Sequence, residues 1–78
     1  MTAMAEADVH IHAVVAETEQ IEVLGRINLS GGVITSLEKA GDGRTAIFAT
    51  MPRENFDRFK IWFHDYTEEP SSLKERSE

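Results

Sequence analysis

Residues 9–15 alternate strictly, with Val9, Ile11, Ala13 and Val15 on one side and His10, His12 and Val14 on the other. A period of two marks a β-strand with one buried face. Downstream the period changes. Thr18 offers an N-cap, Glu19 and Glu22 stand in a first turn whose dipole favours anions, and Ile21, Leu24 and Ile27 or Asn28 recur at helical spacing. Gly31-Gly32 is predicted to stop that helix through the left-handed conformation glycine adopts at little steric cost. A second strand over residues 33–39 and a third over 44–51 then form a hairpin around Ala40-Gly41-Asp42-Gly43. In the third strand Thr45, Ile47, Ala49 and Met51 face one way, and Ala46, Phe48 and Thr50 the other. Pro52 suits the first turn of a second helix, where its missing N–H has no partner to lose. In that helix Phe56, Phe59, Phe63 and Tyr66 make one apolar stripe, with Trp62 beside it and expected to be partly exposed.

Seventy-eight residues allow one domain with a small core. Without cysteine there is no disulfide framework, thiol nucleophile or thiolate metal site, so stability has to come from packing or association. No apolar run approaches the roughly 18 residues that span a bilayer, and residues 1–8 lack the basic and apolar regions of a signal peptide. A soluble cytoplasmic protein with no membrane partner is expected. Eight basic against fourteen acidic side chains give a formal charge of −6, which disfavours nucleic acid, because phosphate binding depends on clustered Lys and Arg. Arg44, Arg53, Arg58 and Lys60 nevertheless lie between two acidic stretches, so a local basic strip is compatible with the composition. Residues 1–7 and 69–78 are read as flexible, the latter an acidic tail with one apolar side chain, flanking a domain over residues 8–68.

The order β-α-β-β-α carries a run of matching positions: Val23-Leu24-Gly25-Arg26-Ile27-Asn28, Gly32-Val33-Ile34, Leu37-Glu38, Gly41-Asp42, Ile47, Ala49, Pro52 and Phe56. This pattern resembles the C-terminal domain of translation elongation factor G and its relatives. The resemblance covers about two thirds of the chain and rests mainly on glycine, apolar residues and proline. It implies an α+β, ferredoxin-like βαββα(β) sandwich, an antiparallel sheet with two helices on one face. In that family a glycine-rich turn and a closing strand follow the second helix. Glu68-Glu69-Pro70-Ser71 stands there instead, so the fourth strand is expected to be missing and residues 9–15 to be an open sheet edge. Val9, Ile11, Ala13 and Val15 are the corresponding edge-strand candidates.

His10 and His12 point to the same side of a strand and invite a metal reading with Glu38 or Asp65 as third ligand, but no further ligand has diagnostic spacing, so no metal is expected. With Val14 and Phe48 they are instead read as the exposed sheet face, Phe48 being a possible stacking platform or partner surface. His64 and Asp65 diverge around a helix and make no catalytic pair. The glycine pairs form no phosphate loop, and Ser30, Ser36 and Thr50 have no recognisable base partner. No catalytic residue and no cofactor is assigned, and the chain is not read as an enzyme. Three functions follow: a non-catalytic protein-interaction module acting as a homodimer or by strand capture; a translation-associated protein contacting the ribosome, which requires Arg26, Arg44, Arg53 and Arg58 to cluster; and a small-molecule regulatory domain similar to the ACT family. Leu24-Gly25-Arg26-Ile27 and Ile34-Thr35-Ser36-Leu37 carry the last likeness, which implies amino-acid binding near the first strand–helix junction.

Overall fold

The structure, a computed structural model, describes residues 8–68 and 71–76. Residues 1–7 and the remainder of the expected tail (69, 70, 77 and 78) lie outside the described residues. The elements are β1 (Asp8–Ala16), a 3-10 turn (Glu17–Glu19), α1 (Gln20–Leu29), β2 (Val33–Gly41), β3 (Arg44–Pro52), α2 (Arg53–Tyr66) and β4 (Ser72–Arg76). They form a small α+β domain: a four-stranded antiparallel sheet in the order β2-β3-β1-β4, with two helices.

Alternation in β1 settles which side the helices cover. Val9, Ile11, Ala13 and Val15 are at most 1% exposed and pack with Ile47, Ala49 and Met51 of β3 against Val23 and Ile27 of α1 and Phe56, Phe59 and Phe63 of α2. Full burial of one of the Val, Ile, Met or Phe side chains contributes about 1.5–3 kcal/mol. β1 and β3 pair in uninterrupted register from Asp8 opposite Pro52 to Ala16 opposite Arg44.

The sequence-based expectation of a missing fourth strand is overturned. Ser72–Arg76 pairs antiparallel with β1, from His10 opposite Arg76 to Val14 opposite Ser72. β1 is therefore an interior strand, and Val9, Ile11, Ala13 and Val15 are core rather than an open edge. Residues 72–76 are likewise a strand rather than part of a flexible tail. An outer strand has to bury very little: Leu73 alone packs against the core, while the backbone of β1 supplies the hydrogen-bond ladder. The Arg53 guanidinium donates to the Glu75 carboxylate at 2.6 Å and ties β4 to α2.

α1 also departs from expectation. Thr18 does not cap it; the 3-10 turn precedes it and Glu19 occupies the N-cap position. Ile21 is 80% exposed, and the buried positions are Val23 and Ile27 with Leu24 half-buried. Pro52 closes β3 and stands at the N-cap of α2 rather than inside its first turn.

The α1 terminus follows the sequence closely. The Gly31 amide (φ +79) donates to the Asn28 carbonyl at 3.0 Å and the Gly32 amide to the Ile27 carbonyl at 2.9 Å, the two bonds of a Schellman cap. At the hairpin, Gly41 pairs with Arg44 around Asp42-Gly43, whose φ values of 56° and 72° suit a type I′ turn. A Cβ at Gly32 would meet the Thr50 carbonyl oxygen at 2.7 Å and Ile27 Cγ2 at 2.8 Å. Gly32→Ala is expected to cost about 1–3 kcal/mol, the usual penalty of overpacking. Urea denaturation of the variant, with an unchanged m-value, measures it.

Candidate functional site

Two regions are left uncovered by the core: the sheet face turned away from the helices, and the outer edge at β2. On the first, the register lines up three rows. Arg76, His10, Thr50 and Val33 form one; Lys74, His12, Phe48 and Ser36 the next; Ser72, Val14, Ala46 and Glu38 the third. In the middle row the His12 and Phe48 rings stack, centroids 4.4 Å apart and planes 11° from parallel. Arg76 reaches across from β4 to set its Cζ 5.4 Å from the Phe48 centroid. Both rings are half-buried. The expected exposed-face residues His10, His12, Val14 and Phe48 thus share one surface, and Lys74 and Arg76 join them. Sequence reasoning missed those two cations; their signal was the alternation around Leu73, with Ser72, Lys74 and Arg76 on the opposite side.

At the other edge, β2 pairs only with β3 among the described strands, with register shifts between Ile34 and Ser36 and between Lys39 and Gly41. Thr35 at the first shift donates its hydroxyl to the Phe48 carbonyl at 3.0 Å. Val33 is 61% exposed and Leu37 46%. Beside this edge, at the β1–α1 junction, Glu17, Gln20, Leu37, Glu38, Lys39 and Thr45 line an open hollow of about 210 Å³. The buried Thr45 hydroxyl donates to Gln20 Oε1 at 2.8 Å and holds the first turn of α1 against β3.

The arginines needed for a ribosome contact do not form one cluster. Arg26 and Arg58 line a second hollow with Leu29, Ser30 and Asn55, and the Asn55 amide donates to the Ser30 carbonyl at 2.8 Å. Arg26 Cζ also lies 4.8 Å from the centroid of the half-buried Trp62 ring. Arg53 is paired with Glu75, Arg44 belongs to the opposite side of the sheet, and Lys60 Nζ lies 5.4 Å from the Phe56 centroid. No group of three His, Cys, Asp or Glu side chains suited to a metal occurs among the described residues. His64 and Asp65 are exposed on α2. Desolvation raises the Tyr66 phenol above its ordinary value, with the Glu22 and Glu19 carboxylates adding to the shift. No helix among the described residues is long and apolar enough to cross a membrane. Neither family models nor curated proteins give a match to this sequence.

Glu19, read from sequence only as a dipole-compatible anion, has a second role. Its carboxylate accepts from the Ala16 amide at 3.4 Å, the Glu68 amide at 3.0 Å and the Ser71 hydroxyl at 3.1 Å. One side chain thereby fastens the approach to β4 onto the β1–α1 turn. Glu19→Ala is expected to destabilise the domain by about 1–2 kcal/mol, since charged hydrogen bonds are lost at a partly solvated site. Hydrogen exchange should accelerate selectively at residues 72–76, and equal acceleration throughout the sheet would contradict this assignment.

Proposed function

We propose that the protein is a non-catalytic interaction module that associates through the open edge of β2, as a homodimer or by capturing a partner strand. The observation that carries this reading is the nine-residue strand Val33–Gly41, whose outer backbone edge is unpaired among the described residues, with Val33 and Leu37 exposed. The opposite edge is a poorer template. β4 has five residues, three of them charged (Lys74, Glu75 and Arg76), and short charged strands resist further pairing.

α1 adds to the same margin. It packs over β2 and β3, whereas α2 packs over β1 and β3. Arg26 marks the flank of α1 that faces α2, so at 100° per residue half-buried Leu24 lies on the flank toward β2, exposed Ile21 stands above it, and Gly25 points away from the sheet. Nothing within 4 Å would meet a Cβ at Gly25, so packing inside the chain does not require a glycine there. A mid-helix glycine costs roughly 1 kcal/mol relative to alanine. Nothing in the structure explains that glycine; as two β2 edges pair about a two-fold axis, the apolar α1 side chains nearest a second α1 are Leu24 and Ile21. The topology is compatible with a ferredoxin-like fold, and the order of elements agrees with the resemblance to the elongation factor G C-terminal domain. That likeness supports the fold more than any ribosome contact, given the dispersed arginines.

Sedimentation velocity at about 100 µM tests the reading, a concentration at which a Kd of about 10 µM leaves most chains paired. A dimer is expected, with Ile21→Glu/Leu37→Lys monomeric and unchanged in far-UV circular dichroism. A monomeric parent protein overturns the homodimer and leaves strand capture as the only mode.

The hollow beside the β2 edge favours a second reading, the ACT-like regulatory domain. The Glu17 and Glu38 carboxylates and the Lys39 ammonium offer both signs of charge that a zwitterionic amino acid would pair with, at the junction where the ACT likeness implies binding. A ligand at about 100 times its Kd adds about 2.7 kcal/mol. For a domain this small that raises Tm by roughly 10–20 °C. A thermal-shift screen of the amino acids is expected to single out one or a few; uniform absence of a shift discards this reading while leaving the dimer intact.

A further inference from the structure

We propose that the open sheet face binds single-stranded nucleic acid, stacking a base against the Phe48–His12 pair while Lys74 and Arg76 take the adjoining phosphates. The first support is the ring pair itself. His12 and Phe48 face each other across β1 and β3 on rigid, fully paired interior strands, so the stack exists before any ligand arrives. A base presents a π-face to such a platform whatever its identity, and a duplex does not, because its bases are already stacked on one another.

Charge is the second support. The side of the sheet that carries Phe48 holds Arg44, Lys74 and Arg76 against Asp8 and Glu38. The two carboxylates lie toward the outside: Asp8 opens β1 opposite Pro52, and Glu38 sits on the outer strand β2. Lys74 is directly opposite His12 and Arg76 directly opposite His10, which places both cations along one side of the stack. The acidic excess lies elsewhere: Glu17 and Glu19 stand in the 3-10 turn, Asp42 in the hairpin and Glu68 after α2, Glu75 is turned to Arg53, and on the helices Glu22, Glu54, Asp57 and Asp65 are matched in number by Arg26, Arg53, Arg58 and Lys60. A locally cationic strip beside aromatic rings, on an otherwise acidic molecule, complements a flexible polyanion whose bases can be splayed out. An apolar protein partner would find only half-buried Phe48 and Val14 at its centre, with Val33 out on the β2 margin. Arg76, already over the Phe48 ring, can stay on the platform by lying against the incoming base or turn outward to a phosphate.

This surface is separate from the β2 edge and serves a monomer or a dimer. Fluorescence anisotropy of the full chain with labelled oligouridylate and oligothymidylate of about ten nucleotides matches the span of a small single-strand platform. The expected Kd is about 1–100 µM at low salt. Phe48→Leu keeps the apolar volume and removes the ring; it should weaken binding roughly 5- to 150-fold, the loss of one stacked base. Lys74→Gln/Arg76→Gln should weaken it too and reduce the slope of log Kd against log salt by about 1.4. Equal affinity of both oligomers assigns a face blind to the 2′-hydroxyl, and preference for oligouridylate assigns RNA. The proposal is overturned if neither oligomer binds, if Phe48→Leu binds as the parent does, or if a duplex of equal length competes equally well.

Discussion

β1 sits between β3 and β4 with both edges of its backbone engaged and one side of its side chains sealed under two helices. Everything else is arranged around that strand. Its nine-pair match to β3 sets the side on which Ile47, Ala49 and Met51 meet the helices, and its five-pair match to β4 draws Leu73 onto the core. Removing one buried Ile or Leu side chain costs about 2–5 kcal/mol in small domains whose whole stability is about 5–15 kcal/mol. With no cysteine to crosslink the chain, a slip of one residue in β1 would turn Val9, Ile11, Ala13 and Val15 outward together and leave little core behind.

Local periodicity made much of this visible in the sequence. The β1 alternation, the Phe56–Phe59–Phe63 stripe, the Gly31-Gly32 stop and the Asp42-Gly43 turn each depend on neighbours a few residues away, and each appears where that spacing puts it. Where partners are distant in sequence, reading failed. Ile21 fits a helical stripe as well as Val23 does; only the placement of α1 against β2 and β3 selects Val23. β4 contains a single apolar side chain, and counting apolar residues discounts any strand whose hydrogen bonds come from a neighbour some sixty residues earlier. Glu19 accepts hydrogen bonds from Glu68 and Ser71, a pairing no local pattern encodes.

The same distance effect governs the candidate surfaces. His10, His12, Val14 and Phe48 could be assigned to one side from alternation alone. Lys74 and Arg76 could not be placed beside them until β4 was known to pair with β1. Their arrival changes the character of that side from weakly apolar to aromatic and cationic, although the composition of the whole chain is acidic. Net charge describes the far field of a protein, while a ligand within hydrogen-bonding reach experiences the nearest few groups, screened from the rest beyond roughly 8–10 Å.

Closure of β1 by β4 also relocates the association problem rather than abolishing it. An open antiparallel sheet always has two margins, and sealing one inner strand transfers the unpaired row to whichever strand is outermost. On the β4 side, brevity and charge protect the margin. On the β2 side, protection comes from two register shifts near the strand ends, with Ser36 to Lys39 left regular between them and apolar Leu37 within that stretch. A strand shaped in this way still offers its backbone to a second β2, with exposed Ile21 on the neighbouring α1. Pairing there would extend the sheet without touching the His12–Phe48 stack, so one small domain can keep an association edge and a ligand platform on surfaces that do not compete.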